Sequence, residues 1–334
     1  MQAHLDRRLP VHRSHRRSIL LSKILKIVAG VVAGATLLTL VGPVVGEAIA
    51  TFPPPFPREA PDLLTKLDLA YESVTFPTSD ELTLRGWFIP AETPDAPAII
   101  YAPATSHDQR SGLSLVPAFH KAGYHVLLFS YRGHAQSDGP RGQFTYGEAE
   151  SRDVDAAVQF LYQSKGIHRI ALIGHSVGAA SAILSAARNP LVGAVVAVAP
   201  FNCVAEIWQT NRPSFVPRFL LDWTLWLVER TRGFSRDKIC PVQVVDQIAP
   251  RPLLMIHGTE DRRISVQQVR SLFAAAEEPK ALWLVPGATH SGIRSPMLDL
   301  LAPNVISFLD AAWQVPTHVA ARPNHGPVGA FAWQ

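Results

Sequence analysis

The stretch that most limits what this chain can become is residues 169–188, RIALI-GHSVG-AASAILSAAR. Five residues that read as a buried strand run straight into Gly-x-Ser-x-Gly, and ten residues of mostly small helix formers follow without a linker. A strand that becomes a helix through a single residue needs a strained turn. Gly174 and Gly178 leave out the Cβ atoms that would obstruct the backbones crossing there. The turn holds the Ser176 hydroxyl at a helix N-terminus, where unpaired N–H groups and the helix dipole favour developing negative charge. The five-residue pattern alone is weak and also fits an ordinary strand–helix turn with an exposed serine. Its setting between strand and helix is what gives it weight.

The rest of the body repeats this alternation. Residues 73–76 and 82–89 read as strands joined at Ser79-Asp80, which suggests a hairpin. Short apolar runs follow at 98–101, 126–130, 170–173, 194–198, 253–256 and 282–285. Helical patterns lie at 113–122, 148–163, 177–188, 266–276 and 296–313. Apolar runs of this length between helices are parallel strands covered on both faces, so the expected fold class is α/β, with one mostly parallel sheet of about eight strands. The gap between 201 and 248 breaks the alternation and contains Trp208, Trp223 and Trp226 in a helical-looking stretch. It reads as a short helical lid inserted into a body spanning 71–313. Residues 314–334, rich in Pro, Gly and Ala, read as a flexible tail.

Ahead of the body the chain changes character. The first 26 residues carry seven basic side chains and one acid, Asp6, for a net +6; the whole chain is only +4, so the other 308 residues sum to −2. Nucleic-acid binding is excluded, because the body has no basic field for phosphates. Residues 27–46 then run without a charge, and 20 residues at 1.5 Å each match a hydrocarbon core of about 30 Å. Basic residues on the N-terminal side keep that end cytoplasmic and send the body outward. The expected organisation is a basic cytoplasmic tail (1–26), a transmembrane signal anchor (27–46) and a Pro-rich spacer (51–70) that holds the body off the bilayer. Two other readings stay open, a signal peptide cut after Ala48-Ile49-Ala50 and a twin-arginine signal at Arg16-Arg17.

A serine hydroxyl needs a base to take its proton and a third group to orient that base. Downstream of Ser176, the run at 253–256 ends in His257-Gly258-Thr259-Glu260-Asp261, and the run at 282–285 ends in Pro286-Gly287-Ala288-Thr289-His290. Both loops fall at carboxyl ends of strands, where open α/β sheets build their sites. Ser176 is therefore the candidate nucleophile, His290 the candidate base and Asp261 the candidate acid. Glu260 competes for the last role, and Asp261 could instead cap the next helix. The loop after 98–101 should supply one oxyanion N–H and Val177 the other. Pro103 has no N–H, so Ala104 is the first choice and Thr105 the second. Thr105 and Trp208 are carried as candidate substrate-binding residues. His107 and Asp108 fit a polar surface loop as well as a site.

With GHSVG, HGTEDRRIS, PGATH and FSYRGHAQSDG in place, the region from about 71 to 313 resembles the α/β-hydrolases, in particular the bacterial lysophospholipase-like and serine-aminopeptidase-like members. The resemblance implies Ser176, Asp261 and His290 as the catalytic triad. The sequence departs from it at Ala102-Pro103, where many members have His-Gly, and at Ala135, where a glycine is usual. The function it points to is a membrane-anchored serine hydrolase acting on a small-molecule or lipid-like ester, needing no cofactor and no metal. Peptidase, amidase or acyltransferase action uses the same triad, and a catalytically silent binding protein is the alternative from another class. Cys203 and Cys240, 37 residues apart at the two ends of the lid, either form a disulfide or remain two thiols; spacing does not decide.

Overall fold

The computed structural model describes residues 12–56, 62–212, 214, 216–293, 296–314 and 332–333. In chain order the elements are α1 (His12–Thr51), a single turn α2 (Asp62–Thr65), β1 (Glu72–Pro77), β2 (Thr83–Ile89), β3 (Ala98–Ala102), α3 (Val116–Lys121), β4 (His125–Ser130), α4 (Glu148–Gln159), β5 (Ile170–His175), α5 (Val177–Arg188) and β6 (Val192–Val198). The lid carries α6 (Val204–Thr210) and α7 (Arg218–Arg232). After it come β7 (Leu253–Gly258), α8 (Val266–Ala275), β8 (Lys280–Val285), α9 (Pro296–Gln314) and β9 (Ala332–Trp333).

One sheet holds all the strands in the order β1-β2-β4-β3-β5-β6-β7-β8-β9. β1 pairs with β2 and β2 with β4 antiparallel, while β4, β3, β5, β6, β7 and β8 run parallel. The expected eight strands are present. The ninth, two residues pairing antiparallel with Trp283 and Leu284, comes from the segment read as a flexible tail. Two residues are too few to leave a periodic signal, and the rest of that segment up to 331 lies outside the described residues.

Alternating side chains of each strand feed two cores, one per face. Ile170 and Leu172 of β5, with Val195 and Ala197 of β6, pack under α4, α5 and α8. Ala171 and Ile173, with Ala194 and Val196, pack under α3 and α9. Chain order reverses at β3, which lies between β4 and β5. That switch point opens a crevice at the carboxyl ends of the strands.

The lid is fastened at its base by a disulfide between Cys203 and Cys240, beside a backbone bond from Val204 N–H to the Ile239 carbonyl (3.0 Å). The N-terminal helix is longer than the uncharged run and continues to Thr51. Its span from Leu21 to Ala48 is long and apolar enough to cross a membrane, and its most apolar stretch is unburied.

The start of the Pro-rich segment is bound to the body. Beyond α1, residues 53–56 lie against the body: Arg141 donates to the Pro53 carbonyl (3.2 Å), and the Arg110 guanidinium sits 5.2 Å from the Phe56 ring, which meets Trp87. The helix end is clasped as well. Buried Glu47 accepts from both terminal nitrogens of Arg232 at the end of α7 (2.8 and 2.5 Å) and from the Tyr146 hydroxyl. A prolyl run suggests stiffness, but sequence alone does not say that carbonyls and a ring in it will find partners. The residues from 57 to 61 and from 1 to 11 lie outside the described ones.

Ala135 adopts φ +48°, a left-handed conformation that glycine takes more readily, and this accounts for the glycine usual there. The same loop begins at Arg132, whose backbone N–H and guanidinium both donate to fully buried Asp153 (2.8 and 2.9 Å). The guanidinium also reaches half-exposed Asp80 (2.7 Å) and holds its carboxyl down at about 2. Asp153→Ala leaves a buried cation without its main partner and should cost about 3–5 kcal/mol. Asp80→Ala, at the solvent end of the same pair, should cost about 1 kcal/mol or less. Chemical unfolding midpoints of the two variants in detergent separate these expectations.

Candidate active site

The site is assembled where β5, β7 and β8 end. Ser176 stands between β5 and α5 with φ +56° and ψ −117°, a conformation no ordinary L residue adopts without strain. Its N–H is pinned to the Val198 carbonyl at the end of β6 (2.9 Å), and its carbonyl accepts from Ala180 (3.1 Å) inside the new helix. The flanking glycines are there because nothing larger fits. A Cβ on Gly174 would stand 2.2 Å from the Gly178 carbonyl oxygen, and one on Gly178 would stand 2.0 Å from the Ala102 oxygen.

That second approach also places the loop after β3. With Ala102 and Pro103 pressed on the first turn of α5, the buried Ala104 and half-buried Thr105 follow directly in that loop. Neighbouring Asp108 is accounted for by structure: it is buried, accepts from the Arg110 backbone N–H (3.0 Å) and pairs with its guanidinium (2.7 Å). His107 Nδ1 bonds the Thr105 carbonyl (2.7 Å). Trp208, on α6, packs edge-on against Tyr146 at 5.4 Å in an apolar cluster that includes Val177.

The acid and histidine loops are laced together before their side chains meet. Thr259 N–H donates to the Val285 carbonyl and Glu260 N–H to the Ala288 carbonyl, both at 3.0 Å. His290 Nδ1 lies 2.7 Å from Asp261 Oδ2, and its Nε2 lies 3.1 Å from Ser176 Oγ. The structure thus brings the three predicted residues into one hydrogen-bonded line. Glu260 is exposed, whereas the Asp261 side chain is wholly enclosed. Asp261 does not cap α8 either, since Ser265 does that through Gln268 N–H. Its second oxygen accepts from Arg263 and Ile264 N–H (2.8 and 2.9 Å). Burial pulls the Asp261 carboxyl up. The bonds from His290, Ile264 and Arg263 outweigh that and leave it below the usual range.

Two histidines missed in the sequence reading buttress this line. His175 Nε2 bonds the His290 carbonyl (3.2 Å), with the two rings 5.3 Å apart. His257 is completely buried; its Nε2–H donates to the Ile264 carbonyl (2.9 Å) and lies 3.8 Å from Asp261 Oδ2. Burial pushes the His257 imidazole below its ordinary value. A histidine at the end of a strand, four residues before the acid, was the available signal. Among the described residues no group of three or more His, Cys, Asp or Glu side chains is placed to hold a metal ion.

The serine aminopeptidase S33 family profile matches residues 104–239. An uncharacterized Mycobacterium tuberculosis protein, Rv2307c, is 30% identical over 226 residues, which cover 66% of this chain and 73% of that protein. The chain belongs to the α/β-hydrolase superfamily. It is a serine hydrolase of that type. YfhR of Escherichia coli K12, also uncharacterized, is 29% identical over 66% of this chain and 73% of its own length. Among solved structures the hydrolase fold superposes on the Pyrococcus furiosus esterase Pf2001 with a TM-score of 0.63 and 23% identity, covering 78% of this chain and 98% of that one.

Burial also lowers the imidazoles of His125 and His134. An unfolded chain takes up protons at these positions near pH 6.5, while the native state resists them. These imidazoles contribute stability that is complete above about pH 6.5 and declines as pH falls below it, while Asp153, raised to about 7 by burial, acts in the opposite sense between about pH 4 and 7. The lowered Asp261 carboxyl adds a further loss only below about pH 4. Unfolding midpoints at pH 7.5 and 5.0 test the histidine contribution, with His125→Gln expected to lose less, or gain more, than the wild type on going to pH 5.0.

Proposed function

We propose that this hydrolase cleaves carboxylic esters through an acyl-enzyme on Ser176. The observation that carries the reading is the line Ser176 Oγ, His290 Nε2, His290 Nδ1, Asp261 Oδ2, with contacts of 3.1 and 2.7 Å. Asp261, ionised and fixed by two backbone N–H groups, accepts from Nδ1–H and so leaves Nε2 free to accept a proton. His290 takes the Ser176 proton as Oγ attacks the ester carbonyl. The oxyanion is met by the N–H groups of Val177 and Ala104, fixed donors that need no reorganisation. Protonated His290 then passes its proton to the departing alkoxide, and water repeats the sequence on the acyl-enzyme to release the acid. The Pyrococcus furiosus neighbour is described as an esterase, which agrees with this reaction. Thr105 and Trp208 are proposed to line the acyl side of the pocket.

The proposal includes α1 as an anchor with a cytoplasmic N-terminus and the body outside. The basic excess in the first 26 residues supports that orientation, and a disulfide across the lid base suits an oxidising compartment. A lipid-like ester substrate agrees with a hydrolase fixed at a membrane. Amide cleavage is the second reading, favoured by the aminopeptidase description of the matching family and by a neighbour described as a puromycin hydrolase.

Ser176→Ala and His290→Ala should each lower kcat for p-nitrophenyl esters by about three orders of magnitude or more without moving the unfolding midpoint, and the double variant should add little. Asp261→Asn should be nearly as damaging and Glu260→Gln should be mild; the reverse would reassign the acid. Faster turnover of aminoacyl anilides than of any ester in the panel would replace esterase by amidase action. Protease added to intact cells should digest the body, whereas protection of the body with loss of the N-terminal tail would invert the orientation.

A further inference from the structure

The lid helix α7 does not merely cover the body; it lies along the anchor. Its last residue, Arg232, is bonded to Glu47 near the end of α1, while its first turn, Phe219 and Leu220, shares a groove with Val32, Thr36 and Leu40. The two helices therefore run parallel, and from the clasp α7 extends about 20 Å back beside the uncharged run, given 13 residues at 1.5 Å each.

The exposed face of α7 is apolar where solvent exposure alone would favour polar groups. Phe219 is 71% exposed, Trp223 41% and Trp226 48%, with the two indoles stacked at 5.2 Å. Positions 219, 223, 226 and 230 fall on one stripe of a helix. Read from the Phe219 end toward the clasp, the stripe runs phenylalanine, tryptophan, tryptophan, arginine. That is the order of a bilayer from hydrocarbon to interface to headgroup, with indole rings at the interface and a cation at the phosphates. The charged residues of the first half, Arg218 and Asp222, are turned elsewhere and line a polar cleft with Gln209 and Thr210.

We propose that α7 is seated in the membrane, with Phe219, Trp223 and Trp226 among the lipids of the leaflet nearest the body and Arg230 at the phosphate level. The occupant of the stripe is phospholipid, because the stripe continues the unburied apolar surface of α1. This inference rests on α1 being a membrane anchor. It goes further than the anchor in making the lid part of the embedded surface.

The test uses the full chain reconstituted in phosphatidylcholine vesicles, with and without acyl-brominated phosphatidylcholine as a contact quencher of tryptophan. Brominated lipid should quench part of the wild-type emission. That quenchable part should fall to background in Trp223→Phe/Trp226→Phe and persist in Trp208→Phe. Both variants should stay in the membrane through alkaline carbonate extraction, and an unchanged unfolding midpoint shows that the double variant folds. Wild-type emission untouched by bromine, or equally quenched in the double variant, in carbonate-resistant protein overturns the lid placement and leaves the anchor standing. A lid face covered by a second copy of the chain gives the first of these results. Release of the wild type by carbonate removes the anchor reading and the proposal with it.

Discussion

The first turn of α5 lies so close to the end of β3 that a single carbon atom on Gly178 would stand 2.0 Å from the Ala102 oxygen. A second carbon, on Gly174, would stand 2.2 Å from the Gly178 oxygen. This crowding lets Ser176 project from a backbone at φ +56°, holds the loop after β3 against the first turn of α5, and fixes where β5 stops being a strand. The loops carrying Asp261 and His290 then have to meet a fixed point, and their own backbone bonds, Thr259 to Val285 and Glu260 to Ala288, set their height against it. Strain at one residue is sustained by two cores of buried aliphatic side chains on either face of the sheet.

Much of this was legible in the sequence because it is local or repetitive. The eight main strands and the helices between them announce themselves by period and length, and 177–188 coincides with α5. The Ser-Asp-His line was readable because each member follows a strand, and strand ends converge at one edge of a parallel sheet. What was not legible depends on pairings between distant residues. No pattern connects Glu47 to Arg232 across 185 positions, or Pro53 to Arg141 across 88. The prolyl stretch reads as a stiff spacer, and nothing in its composition says that the Pro53 carbonyl and the Phe56 ring bind the body. The choice between Asp261 and Glu260 also needed burial, since only one of two adjacent carboxylates can turn inward.

The acid loop shows how one carboxylate is kept charged away from water. Asp261 receives two backbone N–H groups and an imidazole N–H, and the ring of His257 stands behind it as a neutral neighbour. The loop is tied to the lid as well, through Asn211 Nδ2 donating to the Arg263 carbonyl (2.8 Å) at the end of α6. Displacement of α6 therefore pulls on the turn that presents the acid. The disulfide at Cys203, just before α6, restrains the same helix from its other end.

The clasp between Glu47, Arg232 and Tyr146 changes what removing the N-terminal helix would mean. A truncation begun after residue 51, the usual way to obtain a soluble domain, takes the carboxylate from an enclosed guanidinium and phenol and bares the face of α7 that had been covered by α1. The shortened protein would carry a new sticky surface and an unpaired cation beneath it. Its aggregation or altered turnover would then report on the surgery and not on the native enzyme. The first 51 residues are in this sense a subunit of the hydrolase that happens to share its chain.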